Sequence, residues 1–152
     1  MTARDLIRNA VRSLAIEAGA QMVERPVLRG EPGGHTRPEP EPLAGITAAS
    51  ALAAAARGAI RDHARYARED GLAWSQIGEA LGQGDDPEAA FLRVAADLGR
   101  GPSFAWTCPA CQATVIDRGP EYGPLDAETG HADGCGRLAE AVRAWEGERD
   151  EH

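Results

Sequence analysis

Apolar side chains recur at helical spacing along most of this chain. In residues 3 to 23 they form one stripe, at Leu6, Ile7, Ala10, Val11, Leu14, Ala15 and Ala18. Arginines repeat every four residues on another face, at Arg4, Arg8 and Arg12. The pattern predicts an amphipathic N-terminal helix within residues 1–24, and the arginines indicate a solvated face.

Residues 25–46 interrupt the helical pattern. Proline, glycine and glutamate dominate this segment; its five prolines remove backbone donors, and it offers little apolar surface for burial. We therefore predict a linker or an irregular arm. His35 falls within it without a second ligand nearby in sequence, and we expect it to be a solvent-exposed loop residue.

The longest helical pattern runs from Thr47 to Asp70. This segment is rich in good helix formers, contains no proline and is followed by Gly71, which suits the left-handed residue after a helix. His63 lies near its apolar side, and we expect it to be partly buried with its hydrogen bonds satisfied. Four arginines, spaced four, four and three residues apart, predict a basic face: Arg57, Arg61, Arg65 and Arg68.

Two shorter helices complete residues 47–99. The first has apolar side chains at positions i, i+3 and i+7, namely Trp74, Ile77 and Leu81. Gly82 then suits a helix end, Asp86 an N-cap and Pro87 the first position of the next helix. That helix is predicted to continue to Gly99 with core side chains Ala90, Phe91, Val94 and Leu98. Long helix, short helix, glycine turn and helix is the order of a helix-turn-helix unit.

Residues 100–147 combine a hairpin pattern with one more helix. The hairpin is indicated by β-favouring apolar side chains, at Phe104, Trp106, Val115 and Ile116. Asp133-Gly134 is typical of a helix start, and one apolar face follows it, at Leu138, Val142 and Trp145. The predicted fold is therefore mainly α with a small β hairpin, built from a three-helix unit and a treble-clef or zinc-ribbon-like module. We expect residues 148–152 to be a frayed acidic tail.

All cysteines of the chain lie in this C-terminal module. The spacing is C-x2-C, nineteen residues and H-x3-C, formed by Cys108, Cys111, His131 and Cys135. Zn²⁺ prefers a tetrahedral set of thiolate and imidazole donors, and a short Cys-x-x-Cys turn supplies two of them without strain. Cys135 is expected in the first turn of the last helix. Four protein ligands leave no open position, so we predict one structural Zn²⁺ per chain.

Other roles for these residues stay open at this point. The thiols are also compatible with free cysteines, with a Cys108/Cys111 redox pair or with an iron–sulfur cluster, and His131 with an ordinary loop histidine. A redox dithiol usually opens a helix inside a βαβ pattern, which this sequence lacks. Zinc deaminases carry P-C-x-x-C after an H-x-E motif, whereas here Pro109 lies inside the cysteine pair and His63 begins no such motif.

Composition bounds the functions that the sequence supports. The chain has 152 residues and a hydrophobic fraction of 43%, enough for one ordinary domain or two very small ones. Its basic residues are all arginine and its net charge is −8, so any DNA contact needs a locally basic face. The sequence shows no uninterrupted apolar run of membrane-spanning length and no secretion-signal layout, and we expect a cytoplasmic protein without membrane contact.

The segment from Gly71 to Gly82 has the pattern G-L-x-W-x-x-I-G-x-A-L-G. It resembles the first helix and turn of helix-turn-helix proteins that are common in actinobacteria. The segment from Trp106 to Cys135 is similar to the zinc segment of small, largely uncharacterised actinobacterial proteins that carry both parts. The resemblance implies a helix-turn-helix-like unit joined to a zinc module and leaves the biochemical role open.

Two non-enzymatic functions follow from these observations. The sequence has no phosphate-binding glycine loop, no nucleophile motif and no evident small-molecule site, so we do not expect an enzyme. The first hypothesis is a transcription regulator that binds DNA phosphates through Arg57, Arg61, Arg65 and Arg68. The alternative is an acidic adaptor that binds another protein and uses the same folds only as scaffold. The third helix starts with three carboxylates, Asp85, Asp86 and Glu88. They argue against sequence-specific DNA recognition in the usual pose, because the N-terminal end of a recognition helix contacts the bases.

Overall fold

The computed structural model describes residues 1–27, 34–97 and 99–150. These residues are mainly helical and form two small antiparallel sheets, in agreement with the predicted class. The helices are α1 Ala3–Glu17, α2 Pro42–Glu69, α3 Trp74–Ala80, α4 Pro87–Val94, α5 Pro124–Ala127 and α6 Gly136–Asp150. The strands are β1 Met22–Pro26, β2 Thr36–Pro40, β3 Ala96–Asp97, β4 Pro102–Thr107, β5 Thr114–Asp117 and β6 Glu128–Thr129. Two compact units result, Met1–Gly58 and Ala59–His152.

In the first unit, helix α1 is shorter than the 3–23 prediction. Thr2 caps its start, and its hydroxyl accepts a hydrogen bond from the N–H of Asp5 at 3.2 Å. Gly19 lies at φ 77° and donates to the carbonyl of Ile16 at 2.9 Å, which closes the last turn. A glycine in this left-handed conformation ends the helix although the apolar stripe extends to Ala18.

The predicted linker contains regular structure. Strands β1 and β2 pair antiparallel, with Met22 opposite Pro40 and Pro26 opposite Thr36. The prolines of β2 are tolerated because each strand of a two-stranded ribbon has one edge that needs no N–H donors. Pro42 begins α2, a position that proline favours, so this helix starts five residues before Thr47. His35 is exposed, as predicted, whereas the part of the arm at residues 28–33 lies outside the described residues.

The second unit begins with the C-terminal part of α2, followed by α3 and α4. Gly71 and Gly82 lie at φ 89° and 71° and end the first two helices, as the sequence predicts. Asp86 caps α4 by accepting hydrogen bonds from two backbone N–H groups at 3.0 Å. Helix α4 ends at Val94, before the predicted end at Gly99, because Ala95 is extended and leads into β3. Leu98 lies outside the described residues.

A four-stranded antiparallel sheet in the order β3-β4-β5-β6 follows. The predicted hairpin is confirmed, with Trp106 opposite Val115 and Phe104 opposite Asp117. Helix α6 starts one residue after Cys135, so that ligand precedes the helix instead of lying in its first turn. The helix continues to Asp150, into the segment predicted to be a frayed tail, and residues 151–152 are not described.

One hydrophobic core joins α3 and α4 to the sheet. Trp74 contacts Phe91 and Phe104 edge to face, with ring centroids 5.2 and 5.4 Å apart. Phe91 and Val94 are buried, as predicted, together with Trp106 and other core members. Residues on both sides of the predicted domain boundary, between residues 99 and 100, therefore contribute to the same core.

Candidate metal centre

The first two candidate ligands lie on a tight turn between β4 and β5. Cys108 directly follows β4, and its backbone N–H donates to the carbonyl of Ala113 at 2.9 Å. Its carbonyl accepts from the N–H of Gln112 at 2.8 Å. Gln112 adopts φ 59°, the left-handed conformation that glycine usually supplies. This turn directs Cys108 and Cys111 toward the same point.

The other two ligands lie between β6 and α6. Gly130, at φ 103°, brings the chain against β5, since a Cβ there would lie 2.6 Å from the carbonyl oxygen of Thr114. His131 follows it with its side chain 1% exposed. Cys135 is buried, and its carbonyl accepts the N–H of Ala139 in the first turn of α6. A glycine is therefore required where the second ligand pair approaches the first.

The four predicted ligands converge. One donor atom from each of Cys108, Cys111, His131 and Cys135 lies within 4.8 Å of all the others. The sulfurs of Cys108 and Cys135 are 3.7 Å apart, as are the Cys111 sulfur and Nδ1 of His131. A tetrahedral ion with thiolate bonds of about 2.3 Å has edges of about 3.8 Å between sulfurs. The arrangement can therefore hold a single metal ion.

The two thiols of the turn differ in acidity. Hydrogen bonds from the backbone N–H groups of Ala132 and Ala113, and one with His131, lower the pKa of Cys111 to about 6. Burial raises the pKa of Cys108, although backbone hydrogen bonds from Cys111 and Ala110 oppose the shift. Backbone donors thus favour the thiolate of Cys111 before any ion is bound, and thiolate is the form that ligates metals.

A buried polar network extends from the ligand His131 to α2 and α3. Nε2 of His131 lies 3.3 Å from the carboxylate of Glu128, which also pairs with the guanidinium of Arg68. Arg68 pairs in turn with Asp117 at 3.3 Å, and Asp117 accepts a hydrogen bond from Nε1 of Trp74 at 2.9 Å. Burial raises the pKa of Asp117, whereas the charge of Arg68 lowers it. The candidate metal centre is therefore linked to α2 and α3 through a chain of hydrogen bonds and ion pairs.

Arginine and tryptophan side chains stack beside this network. The Arg68 guanidinium lies 5.5 Å from the ring centroids of both Trp74 and Trp106. Arg137 of α6 lies 4.2 Å from the Trp106 centroid and donates to the carbonyls of Arg68 and Glu69. The carboxylate of Glu69 accepts the N–H of Thr107 at 3.2 Å. The C-terminal end of α2 is thus bound to both β4 and α6.

The four arginines predicted to contact DNA do not form one open face. Arg57 and Arg61 are exposed, and Nε of Arg61 donates to the carbonyl of Val94 at 3.0 Å. Arg65 pairs with Asp62 at 3.0 Å. Arg68 is only 8% exposed. Helical periodicity does place Arg68 on the face of Arg57 and Arg61, but sequence-distant elements cover the last turn of α2.

His63 does not occupy the environment that the sequence predicts. It is exposed, and its ring contacts that of Tyr66 at a centroid distance of 5.9 Å. The expectation of a partly buried histidine was wrong because the α2 face that becomes buried is centred on Ala64, one position further along the chain.

The acidic start of α4 faces one further carboxylate, that of Glu121. Asp86 is used as the N-cap, and Asp85 is exposed. A hydrogen bond and repulsion with Glu121, in the loop after β5, raise the pKa of Glu88. The same loop approaches Phe91 so closely that a Cβ at Gly119 would lie 3.0 Å from its ring. The face of α4 that carries Glu88 and Phe91 therefore contacts this loop.

Sequence reasoning missed the network of Asp117, Glu128 and Arg137. The available signal was the alternation in β5, which places Asp117 on the same face as the buried Val115. An acid on the inward face of a strand requires a buried partner. Arg68, in the last turn of α2, supplies it.

No protein-family model, curated protein or solved structure matches this chain. Among the described residues, α2 alone is long and apolar enough to cross a membrane, judged by length and composition. Mostly buried core helices of soluble proteins satisfy the same criteria, but only 6% of the apolar window of α2 is buried.

Proposed function

We propose that Cys108, Cys111, His131 and Cys135 hold one Zn²⁺ per chain as a structural ion. Three thiolates and an imidazole form a donor set that zinc prefers, and 3.7 Å edges suit a single tetrahedral ion. Glu128 orients the imidazole through its other nitrogen, as carboxylates commonly do for zinc-bound histidines. Zinc would link β4, β6 and the start of α6, so its binding energy would contribute to folding.

We further propose that α2, α3 and α4 form a helix-turn-helix-type scaffold in a non-enzymatic protein adaptor. The observation that carries this function is the burial of Arg68 between Asp117 and Glu128. Together with the Arg65–Asp62 pair, it removes half of the basic face that DNA binding would need. The overall charge of −8 also favours a partner other than nucleic acid.

The adaptor needs a binding surface, and α2 and α3 supply one. An apolar groove of about 320 Å³ lies between them, lined by Ile60, Ala64, Leu72, Ile77 and Leu81 among others. His63 and Gln76 provide polar groups beside it. Grooves of this kind accept an amphipathic helix that presents apolar side chains at i, i+3/i+4 and i+7. We therefore propose such a helix as the partner segment.

DNA association remains the second candidate, because Arg57 and Arg61 are exposed, although Nε of Arg61 donates to the carbonyl of Val94. A titration of random duplex DNA at two salt concentrations separates the two functions. An adaptor shows no binding even at low salt, whereas a DNA-binding protein shows affinity that falls steeply with salt. If the protein binds DNA, the double variant Arg57→Gln, Arg61→Gln reduces the slope of log affinity against log salt concentration by about two units.

The groove has its own test. A displayed library of helical peptides is selected against the zinc-loaded protein, and enriched peptides are measured against Leu72→Glu. Leu92→Glu is the matched control, because Leu92 is also exposed but lies outside the groove. The adaptor proposal expects amphipathic sequences whose binding Leu72→Glu abolishes and Leu92→Glu preserves. Equal binding to both variants would show that the groove is not the binding surface.

A further inference from the structure

Two arginine side chains bind the carbonyl groups where α2 leads into α3 through residues 70–73, the α2–α3 turn. Nη1 of Arg68 donates to the carbonyl of Leu72, within the turn, at 2.8 Å. Arg137 of α6 donates to the carbonyl of Glu69 at 3.2 Å and also to that of Arg68. Carbonyls in the last turn of a helix have no partner within the helix, so such donors fix where the chain leaves it. The path from α2 into α3 therefore depends on both guanidinium groups.

Both arginines are held beside candidate metal ligands. Arg137 is the second residue of α6 and follows Cys135 by two positions. Arg68 pairs with Glu128, whose carboxylate lies 3.3 Å from Nε2 of His131. The side chains of Glu128 and His131 are 12% and 1% exposed, so water competes little for this contact. Two of the four ligands are therefore linked to the α2–α3 turn by short chains of contacts.

A third contact joins the end of α2 to the first ligand. The backbone N–H of Thr107, one residue before Cys108, donates to the carboxylate of Glu69 at 3.2 Å. We propose that zinc occupancy of the metal centre controls the conformation of the α2–α3 turn and, with it, the apolar groove between α2 and α3. This inference rests on the structural zinc ion proposed above and adds a regulation of the groove.

The groove has one end at this turn. It is lined by Ala64 and Ala67 of α2, Leu72 of the turn, and Ile77 and Leu81 of α3, among others. Since α2 and α3 form its opposite walls and meet at the turn, the conformation of the turn determines how the two walls face each other. A change in the hydrogen bonds of the turn therefore changes the shape of the groove.

The zinc-bound and zinc-free states would differ in the local stability of the turn. With the ion bound, β4 and the segment from β6 to α6 are tied together, so Glu128 and Arg137 keep their positions. Without it these segments lose their common link, and the guanidinium donors exchange the carbonyls of α2 for water. Such coupling is reciprocal, so loss of the donors must also weaken zinc binding.

Chelator competition on the full chain measures zinc affinity. Arg137→Gln removes the guanidinium and leaves all four ligands in place, and we expect it to weaken zinc binding about tenfold or more. Arg143→Gln is the matched control, because it makes the same change at an exposed position of the same helix and should alter affinity less than about twofold. Arg137→Lys keeps the charge without the planar pair of donors and provides a milder variant. Glu128→Gln tests the other link, with an expected loss of about 10- to 100-fold.

Amide hydrogen exchange, resolved by NMR in the zinc-saturated protein, reports on the turn itself. The N–H groups of Gly71 and Leu72 donate to the carbonyls of Arg68 and Ala67 at 3.1 and 2.9 Å. We expect both amides to exchange about tenfold faster in Arg137→Gln than in wild type, and at the wild-type rate in Arg143→Gln. The amides of α4 should exchange at the same rate in all three proteins.

Two results would overturn the proposal and leave the structural zinc ion in place. One is a zinc affinity that neither Arg137→Gln nor Glu128→Gln changes. The other is exchange that rises equally in the turn and in α4, which would show that the substitution loosens the whole unit and has no specific effect on the turn. A wild-type chain without zinc by elemental analysis would instead refute the zinc site and this inference together.

Discussion

Replacing Arg68 with methionine tests the buried network directly. The Arg68 side chain is 10% exposed, and its partners Asp117 and Glu128 are 2% and 12% exposed. Methionine fills a similar volume but leaves two buried carboxylates without their cation. Loss of one partner from a buried ion pair typically costs 3–5 kcal/mol, so we expect a loss of about 4 kcal/mol in the free energy of unfolding.

The expected loss has a pH dependence whose sign follows from Asp117. Burial already raises its pKa, and Arg68 is the largest opposing influence. Without Arg68 the pKa of Asp117 in the folded state rises further, so the folded variant takes up a proton as pH falls. The stability difference between wild type and Arg68→Met should therefore narrow toward acid pH.

Urea unfolding at neutral pH with saturating zinc, followed by tryptophan fluorescence, measures this difference. Arg65→Met is the matched control, because its ion pair with Asp62 is 42% and 56% exposed. An exposed pair of this kind contributes less than about 1 kcal/mol. If Arg68→Met destabilises the protein no more than Arg65→Met does, the network has no energetic role and the burial argument for Arg68 is refuted.

Three further outcomes are expected. Elemental analysis should give one zinc per chain. Cys111→Ser should lower the zinc content and should lower the free energy of unfolding by several kcal/mol. If both values are unchanged, the cysteines are free thiols. Phe91→Ala should cost about 3–5 kcal/mol in urea unfolding, because Phe91 is buried, while the exposed Leu92→Ala should change little. An NMR titration should find the pKa of Asp5 below its ordinary value, mainly because the Thr2 hydroxyl donates to it, and Thr2→Ala should raise it. The stabilisation from Asp5 is present above its ordinary pKa and lost as pH falls through the lowered value.

Features set by neighbours in sequence were predictable. Gly82 and Asp86 mark the turn between α3 and α4 because helix ends are formed by local hydrogen bonds and local backbone angles. The four candidate metal ligands were found for a related reason, since Cys-x-x-Cys closes within one turn and His-x-x-x-Cys precedes a helix start. Each of these features is encoded by residues that lie close together in the sequence.

Features set by distant pairing were not predictable from periodicity. The hairpin of β1 and β2 needs contacts across the interval between residues 26 and 36, and its prolines and glycines indicated a linker. The end of α4 was placed too late because the apolar side chains continue into β3, whose partner is β4. In both cases the pairing strand, and not the local sequence, determines the conformation.

The burial of Arg68 illustrates why a charge pattern alone did not reveal its role. A Zn²⁺ ion with three thiolates and a neutral imidazole carries one net negative charge, and Asp117 and Glu128 add two more. Arg68 pairs with both carboxylates, and Arg68 and Arg137 both lie against the ring of Trp106, so they supply two positive charges near this acidic region. The cations thus offset charge that zinc binding itself would bring into a region of low solvent exposure. In the proposed zinc-bound state, Arg68 would act as an internal counter-ion instead of the phosphate ligand that its place in the arginine repeat suggests.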